Sequence, residues 1–276
     1  MRIRAGALLV FALLLFVALG PLVAHHDPYL SNFDLARGPL DTPVGPNGTF
    51  WLGADRVYRD VFVRLALGGR FSLAIALTAT LISTTLGALV GTVSGYFEGR
   101  AVDHVLMRMV DVGLAFPFLL LVMAISAAVD RTSATTILWT LGLTGWLGTA
   151  RVVRAKALGV RRKDFVLASR ALGQYDGTIL RLHVLPNVAG TLLVIGTAQI
   201  AQMIIAESVL SYLGAGMAPP TPTWGAMLFD GQDQYVSAPW LLAAPAFVIV
   251  VAVLGFNLLG EGLRDALDPK RPLARM

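Results

Sequence analysis

Residues 151–187, RVVRAKALGVRRKDFVLASRALGQYDGTILRLHVLPN, form the only long polar segment in the second half of this 276-residue chain. The segment carries Arg151, Arg154, Lys156, Arg161, Arg162, Lys163, Arg170 and Arg181, eight of the chain's 22 Lys and Arg, and apolar runs flank it on both sides. Apolar residues make up 56% of the chain and charged ones 14%, with a mean hydropathy of +0.70; soluble domains carry roughly 25% charged residues. That balance excludes a water-soluble globule. It also excludes a disordered chain, which needs the opposite composition. The solvent is lipid, and the polar segment is a loop between membrane spans.

Working outward from that loop, apolar runs of about 20 residues, each long enough for the ~30 Å hydrocarbon core, predict six transmembrane helices in an all-α, polytopic fold. The expected spans are residues 5–24, 71–96, 105–129, 134–150, 188–213 and 240–259. Residues 1–24 read as a retained anchor, because the apolar run exceeds the 7–15 residues of a leader and His25-His26-Asp27-Pro28 makes a poor cleavage site. Residues 25–70, rich in Pro and Gly, read as an extracytoplasmic loop. Residues 71–262 form the membrane domain and 263–276 the tail, which carries Asp268-Pro269-Lys270-Arg271. Gly87, Gly91 and Gly95 fall on one face of the second span and predict close helix packing. Pro117 interrupts the third span, and Asp130-Arg131 turns the chain after it.

Alternating the sides of successive spans places 16 Lys and Arg on the side of the 151–187 loop and six on the other. By the positive-inside rule the loop and both termini are cytoplasmic.

The composition offers little chemistry. Cysteine is absent, and no H-E-x-x-H, G-x-S-x-G or G-x-x-x-x-G-K-[ST] pattern occurs. His25, His26, His104 and His183 read as isolated loop histidines, so no metal site is expected. The chain is expected to be non-catalytic and to bind no cofactor. Ionisable residues avoid the span centres, where each costs about 2.5 to 3.5 kcal/mol; this argues against an ion-gradient-driven transporter. Asp111 is expected to pair with Arg108 one helical turn away. Glu207, Ser208 and Ser211, near the end of the fifth span, leave two readings open: lining of a pathway, or hydrogen bonding between helices.

Within the loop, Asp164 reads as the N-cap of a helix over 165–172, Gly173 as its stop, and Asp176 as the cap of a second turn leading through His183 to Pro186 at the start of the next span. Phe165, Val166, Leu167, Ala168, Ala171 and Leu172 are more apolar than a lipid-tethered basic linker requires. A cytosolic apolar knob asks for a protein groove.

The residues Ala168-Ser169-Arg170-Ala171-Leu172-Gly173, nine more, and then His183-Val184-Leu185-Pro186-Asn187 resemble the EAA loop of ABC importer permeases. The His-Val-Leu-Pro-Asn ending is similar to the dipeptide, oligopeptide and nickel permease family. So are Glu207-Ser208-Val209-Leu210-Ser211-Tyr212-Leu213-Gly214, Pro222-Thr223-Trp224-Gly225, Phe256-Asn257-Leu258-Leu259-Gly260 and Leu263-Arg264-Asp265-Ala266-Leu267-Asp268-Pro269. Gly53-Ala54-Asp55 with Arg59-Asp60 resembles that family's outer loop. Four positions depart: Leu167 stands where the family has an acid, Ser169 where it has alanine, and the Gly-Thr-Asp-x-x-Gly-Arg-Asp pattern reads Ala54 and Tyr58.

The resemblance implies a type I ABC importer permease fold. The implied partners are a homologous second permease forming a heterodimer, two cytoplasmic subunits that bind ATP and Mg, an extracytoplasmic solute-binding protein, and membrane lipid; no nucleic acid is involved. It also implies that Phe165, Leu167, Ala168, Ser169, Arg170, Ala171, Leu172, Gly173, His183 and Pro186 couple to the ATPases. Arg161, Arg162 and Lys163 are expected to meet phospholipid or ATPase acids. Short peptides are the expected cargo and nickel or another small solute the alternative, since no metal constellation is evident.

Overall fold

The computed structural model describes residues 2–24, 26–128 and 133–267. The Asp130-Arg131 turn, His25 and the 268–271 tail lie outside the described residues. Four helices are long and apolar enough to span a membrane, Arg2–Val23, Val61–Tyr96, the continuous stretch Asp176–Ala215, and Trp240–Leu267. The bent pair Ala101–Leu114 and Phe118–Ala128, whose axes meet at 87°, together has the length and apolarity of a fifth span, broken or re-entrant. The sixth expected span, 134–150, is built differently. It consists of Ala134–Thr144 followed by Trp146–Arg161, and the basic residues of the second piece carry it beyond any apolar window.

In chain order we label the helices α1 (Arg2–Val23), α2 (Val61–Tyr96), α3 (Ala101–Leu114), α4 (Phe118–Ala128), α5 (Ala134–Thr144), α6 (Trp146–Arg161), α7 (Asp164–Ala171), α8 (Asp176–Ile179), α9 (Leu185–Leu210), α10 (Trp224–Gly231) and α11 (Trp240–Leu267). Helix α1 packs along α11 through glycines. A Cβ on Gly6 would overlap the backbone at Leu258 and Leu259, and one on Gly262 would lie 2.5 Å from Ile3 Cα. At the cytoplasmic edge Arg2 meets Glu261 at 3.1 Å.

The second span starts at Val61, ten residues earlier than its apolar run. Asp60 Oδ1 caps it, accepting from the backbone N–H groups of Phe62 and Val63 at 2.8 and 3.3 Å. Charges at Arg64 and Arg70 disguise this first stretch as loop. Both are absorbed by partners: Arg64, only 3% exposed, reaches Asp55 at 3.3 Å and donates to the carbonyls of Pro28 and Pro220, while Arg70 donates to the carbonyls of Val17 and Ala18. At 36 residues and 1.5 Å per residue, α2 rises well past the hydrocarbon core. It thereby carries the outer segment, whose small core is Ala36, Phe50 and Ala54. His26 closes on it, its Nδ1 2.6 Å from Asp60 and its ring stacked on Phe50.

Tyr58 shows what the departure from the family pattern entails. It adopts φ 65°, a left-handed conformation costing a non-glycine residue roughly 1–2 kcal/mol. The side chain offsets this, since its hydroxyl donates to the Asp41 carbonyl at 2.9 Å and its ring meets Phe33 edge-on at 5.0 Å. Tyr58→Gly is therefore expected to leave stability within about 1 kcal/mol of the parent, while Tyr58→Ala, which keeps the strain and loses both contacts, falls by about 1–3 kcal/mol. Denaturation of the purified protein checks the order.

The glycine stripe packs as the spacing predicts. A Cβ on Gly87 would lie 2.6 Å from Thr149 Cβ, on Gly91 2.5 Å from the Ala150 carbonyl, and on Gly95 2.5 Å from the Arg154 carbonyl. The partner is α6. The last helix continues to Leu267 rather than ending near 259, so the expected tail begins inside it.

Candidate functional site

Two short helices project from the ends of α6 and α9. Val166 and Ile179 are fully buried beneath them, packed with Tyr96, Val153, Ala157, Val160 and Val184. This apolar floor fixes α7 to the membrane helices. The corner after α7 is a Schellman motif: Gly173, at φ 76°, donates its N–H to the Arg170 carbonyl, and Gln174 donates to Ser169. Asp164 and Asp176 each stand as the first residue of a helix rather than as its cap; the preceding Lys163 and Tyr175 occupy the cap positions without a side-chain bond. A carboxylate in the first turn still favours the helix dipole. Asp176 has a further role, accepting from the Tyr96 hydroxyl.

Most residues expected to couple this loop to a partner face outward. Phe165, Leu167, Ala168, Arg170, Ala171, Leu172 and Gly173 are exposed, with Leu172 at 87% and the neighbouring Tyr175 at 85%. Ser169 and His183 lie half-buried between the helices. The Ser169 hydroxyl donates to the Phe165 carbonyl at 2.8 Å and lies 3.1 Å from His183 Nε2, so the serine that replaces alanine ties α7 to the returning chain. Arg170 lies over the Tyr96 ring, 5.2 Å from its centroid. Tyr96 and Asp176 hold the Arg170 guanidinium above its ordinary pKa. Pro186 lies inside the continuous helical stretch Asp176–Ala215, directly after a π turn over Leu180–Val184, rather than at the free start of a span.

Below the loop, Arg154 binds Asp103 with two bonds of 2.7 and 2.8 Å, and Asp103 also accepts from Ser94 and from the Gly99 N–H. These bonds join α2, α3 and α6 below α7. Sequence reading missed them, because no local spacing links residues 51 positions apart. Arg161 and Arg162 reach Glu98 at 3.5 and 3.4 Å. Asp111 pairs with Arg151 at 2.6 Å instead of Arg108, since α6 lies alongside α3.

Near the other end of α9, Glu207, Ser208 and Ser211 are all buried inside the chain. The Glu207 carboxylate accepts from Ser72 at 3.0 Å and from Ser211 at 2.8 Å, and Ser72 in turn accepts from the Trp224 N–H. The Glu207–Ser72 bond joins α9 to α2, while the Ser208 hydroxyl is buried without a hydrogen-bond partner among the described residues. Among the described residues, no three His, Asp or Glu side chains gather as a metal-binding group.

Comparison with known proteins follows this architecture. Residues 83–271 match the family described as binding-protein-dependent transport system inner membrane component. The chain is 36% identical over 271 residues to the oligopeptide transport system permease protein OppC of Bacillus subtilis (strain 168), covering 98% of this chain and 88% of that one. It is 38% identical over 259 residues to the glutathione transport system permease protein GsiD of Pectobacterium atrosepticum, covering 93% and 85%. Among solved structures, an inward-facing MetNI methionine ABC transporter superposes with a TM-score of 0.58 over 74% of this chain and 96% of that one, at 17% identity, a likeness of fold. Matched over nearly its whole length by these permeases, this polytopic helical chain belongs to the binding-protein-dependent transport system inner membrane component family.

Proposed function

We propose that this multi-pass inner-membrane chain is one half of the translocation pathway of an ATP-driven importer of short peptides, and that α7 with its glycine corner is the joint through which separate ATPase subunits move it. The observation that carries this reading is the contrast across α7: an apolar floor locks one side to the membrane helices, while Leu172 and Tyr175 stand almost fully exposed on the other. A stiff helix fixed below and apolar above transmits displacement from whatever grips it. Relatives named for oligopeptide and glutathione transport support peptides as the cargo class.

In this reading the chain is non-catalytic and binds no cofactor. ATP and Mg reside on two cytoplasmic partners, a homologous permease supplies the other half of a heterodimer, and an extracytoplasmic binding protein delivers the solute. Both termini lie in the cytoplasm. The test is reconstitution of the assembled complex in vesicles, with di- and oligopeptides and nickel offered in parallel. Peptide uptake that requires ATP is expected. Uptake of nickel alone, or uptake that follows an ion gradient without ATP, overturns the proposal.

A further inference from the structure

Two breaks in regular helix, at Pro117 and at Gly145, meet at one face of α9. Pro117 separates α3 from α4 at the 87° bend, and having no N–H it leaves the Gly113 carbonyl without its i+4 donor. Gly145 separates α5 from α6, and its carbonyl accepts from Gln199 Nε2 at 3.0 Å. Gln199 is buried and fully engaged, its Nε2 also donating to Ser83 and its Oε1 accepting from Thr149. One turn further along α9, Gln202 is exposed and makes no hydrogen bond among the described residues. Gln199, Gln202, Gly113, Phe116, Pro117 and Gly148 line one cavity of about 370 Å³, within the ~300–1,000 Å³ span of ligand pockets.

An unpaired amide near the centre of the 188–213 apolar run is costly against lipid, and interrupted backbone at membrane depth survives only inside protein or beside a water-filled cavity. We propose that this cavity is a section of the solute pathway and that the Gln202 side chain hydrogen-bonds the backbone amides of a passing peptide. Both chemistries match: Gln202 offers a donor and an acceptor, the two groups that repeat along any peptide regardless of side chain. A side-chain amide also carries no charge that would trap the cargo. This inference rests on the peptide-importer reading and deepens it, placing a pathway surface on the face of α9 that bears Gln202.

The chain has no cysteine, so a single introduced thiol reports its own position. In the assembled, reconstituted transporter, Gln202→Cys is treated with a small hydrophilic methanethiosulfonate, and modification of this chain is read by mass spectrometry. Val250→Cys, at an exposed apolar site of α11, is the control. The expected result is labelling at least about tenfold faster at 202 than at 250, slowed when peptide, its binding protein and ATP are present together. Gln202→Leu should raise KM for peptide about 3- to 10-fold, the worth of one lost hydrogen bond, with ATPase assembly unchanged. Labelling no faster than at 250, or indifferent to peptide in a complex whose parent takes peptide up, overturns the inference. A parent complex that takes up no peptide instead overturns the function proposed above, and the uptake assay reads that before any cysteine is introduced.

Discussion

Leu172→Glu leaves the chain inserted and folded, yet lowers ATP-driven uptake by at least about tenfold. The two halves of this expectation come from one measurement, the 87% exposure of Leu172. A side chain that touches so little of its own protein contributes almost nothing to its stability, and surface changes of this kind stay within about 0.5 kcal/mol. Any large effect must therefore arise where a partner covers the residue. Covering a leucine contributes about 1.5–3 kcal/mol, and forcing an unpaired carboxylate into the same apolar contact costs several kcal/mol more. Each 1.4 kcal/mol is a factor of ten, so tenfold is a lower bound. Leu172→Met, similar in volume, should retain uptake. Co-purification of the ATPase separates lost docking from lost motion, and unchanged uptake in the glutamate variant would remove α7 from the coupling role.

The sequence makes the cytoplasmic elbow legible because its determinants are local. Gly173 needs a left-handed backbone and Asp164 favours the first turn of a helix, and both signals sit within a few residues of the structure they create. The glycine stripe is legible for the same reason: Gly87, Gly91 and Gly95 recur at a helical period whatever lies opposite. What lies opposite is harder to read. That α6 fills the stripe, that Arg154 seeks Asp103, and that Asp111 prefers Arg151 over its helical neighbour are consequences of packing between segments far apart in the chain. The early start of α2 was hidden by Arg64 and Arg70, whose charges suggest solvent until Asp55 and the carbonyls that receive them are in view. Gln202 is not legible in the sequence, because hydropathy treats a lone glutamine as a minor blemish in an apolar run. Only the cavity beside it gives it significance.

Gly91→Val is expected to have the largest effect on the membrane domain itself. The added Cβ would stand 2.5 Å from the Ala150 carbonyl and 2.7 Å from Val153 Cβ. A carbonyl oxygen cannot rotate aside as a flexible side chain can, so α6 as a whole must retreat from α2. Gly87 and Gly95, equally close to α6 on either side, leave no room for a local pivot. Retreat stretches the Arg154–Asp103 pair and the bond from Thr149 to Gln199. It also pulls Val153, Ala157 and Val160 out of the floor beneath α7. Overpacking alone costs about 1–3 kcal/mol, and loss of a buried charge partner about 3–5 kcal/mol, enough together to exhaust the margin of many domains. Folded yield, thermal stability in detergent and uptake should therefore fall together. Gly159→Ala in α6 provides the contrast, because a Cβ there meets nothing within 4 Å and alanine favours helix by up to about 1 kcal/mol. Equal stability of Gly91→Val and Gly159→Ala would mean that the two helices do not meet through the stripe, and with that contact gone the elbow would have no rigid seat from which to move the pathway.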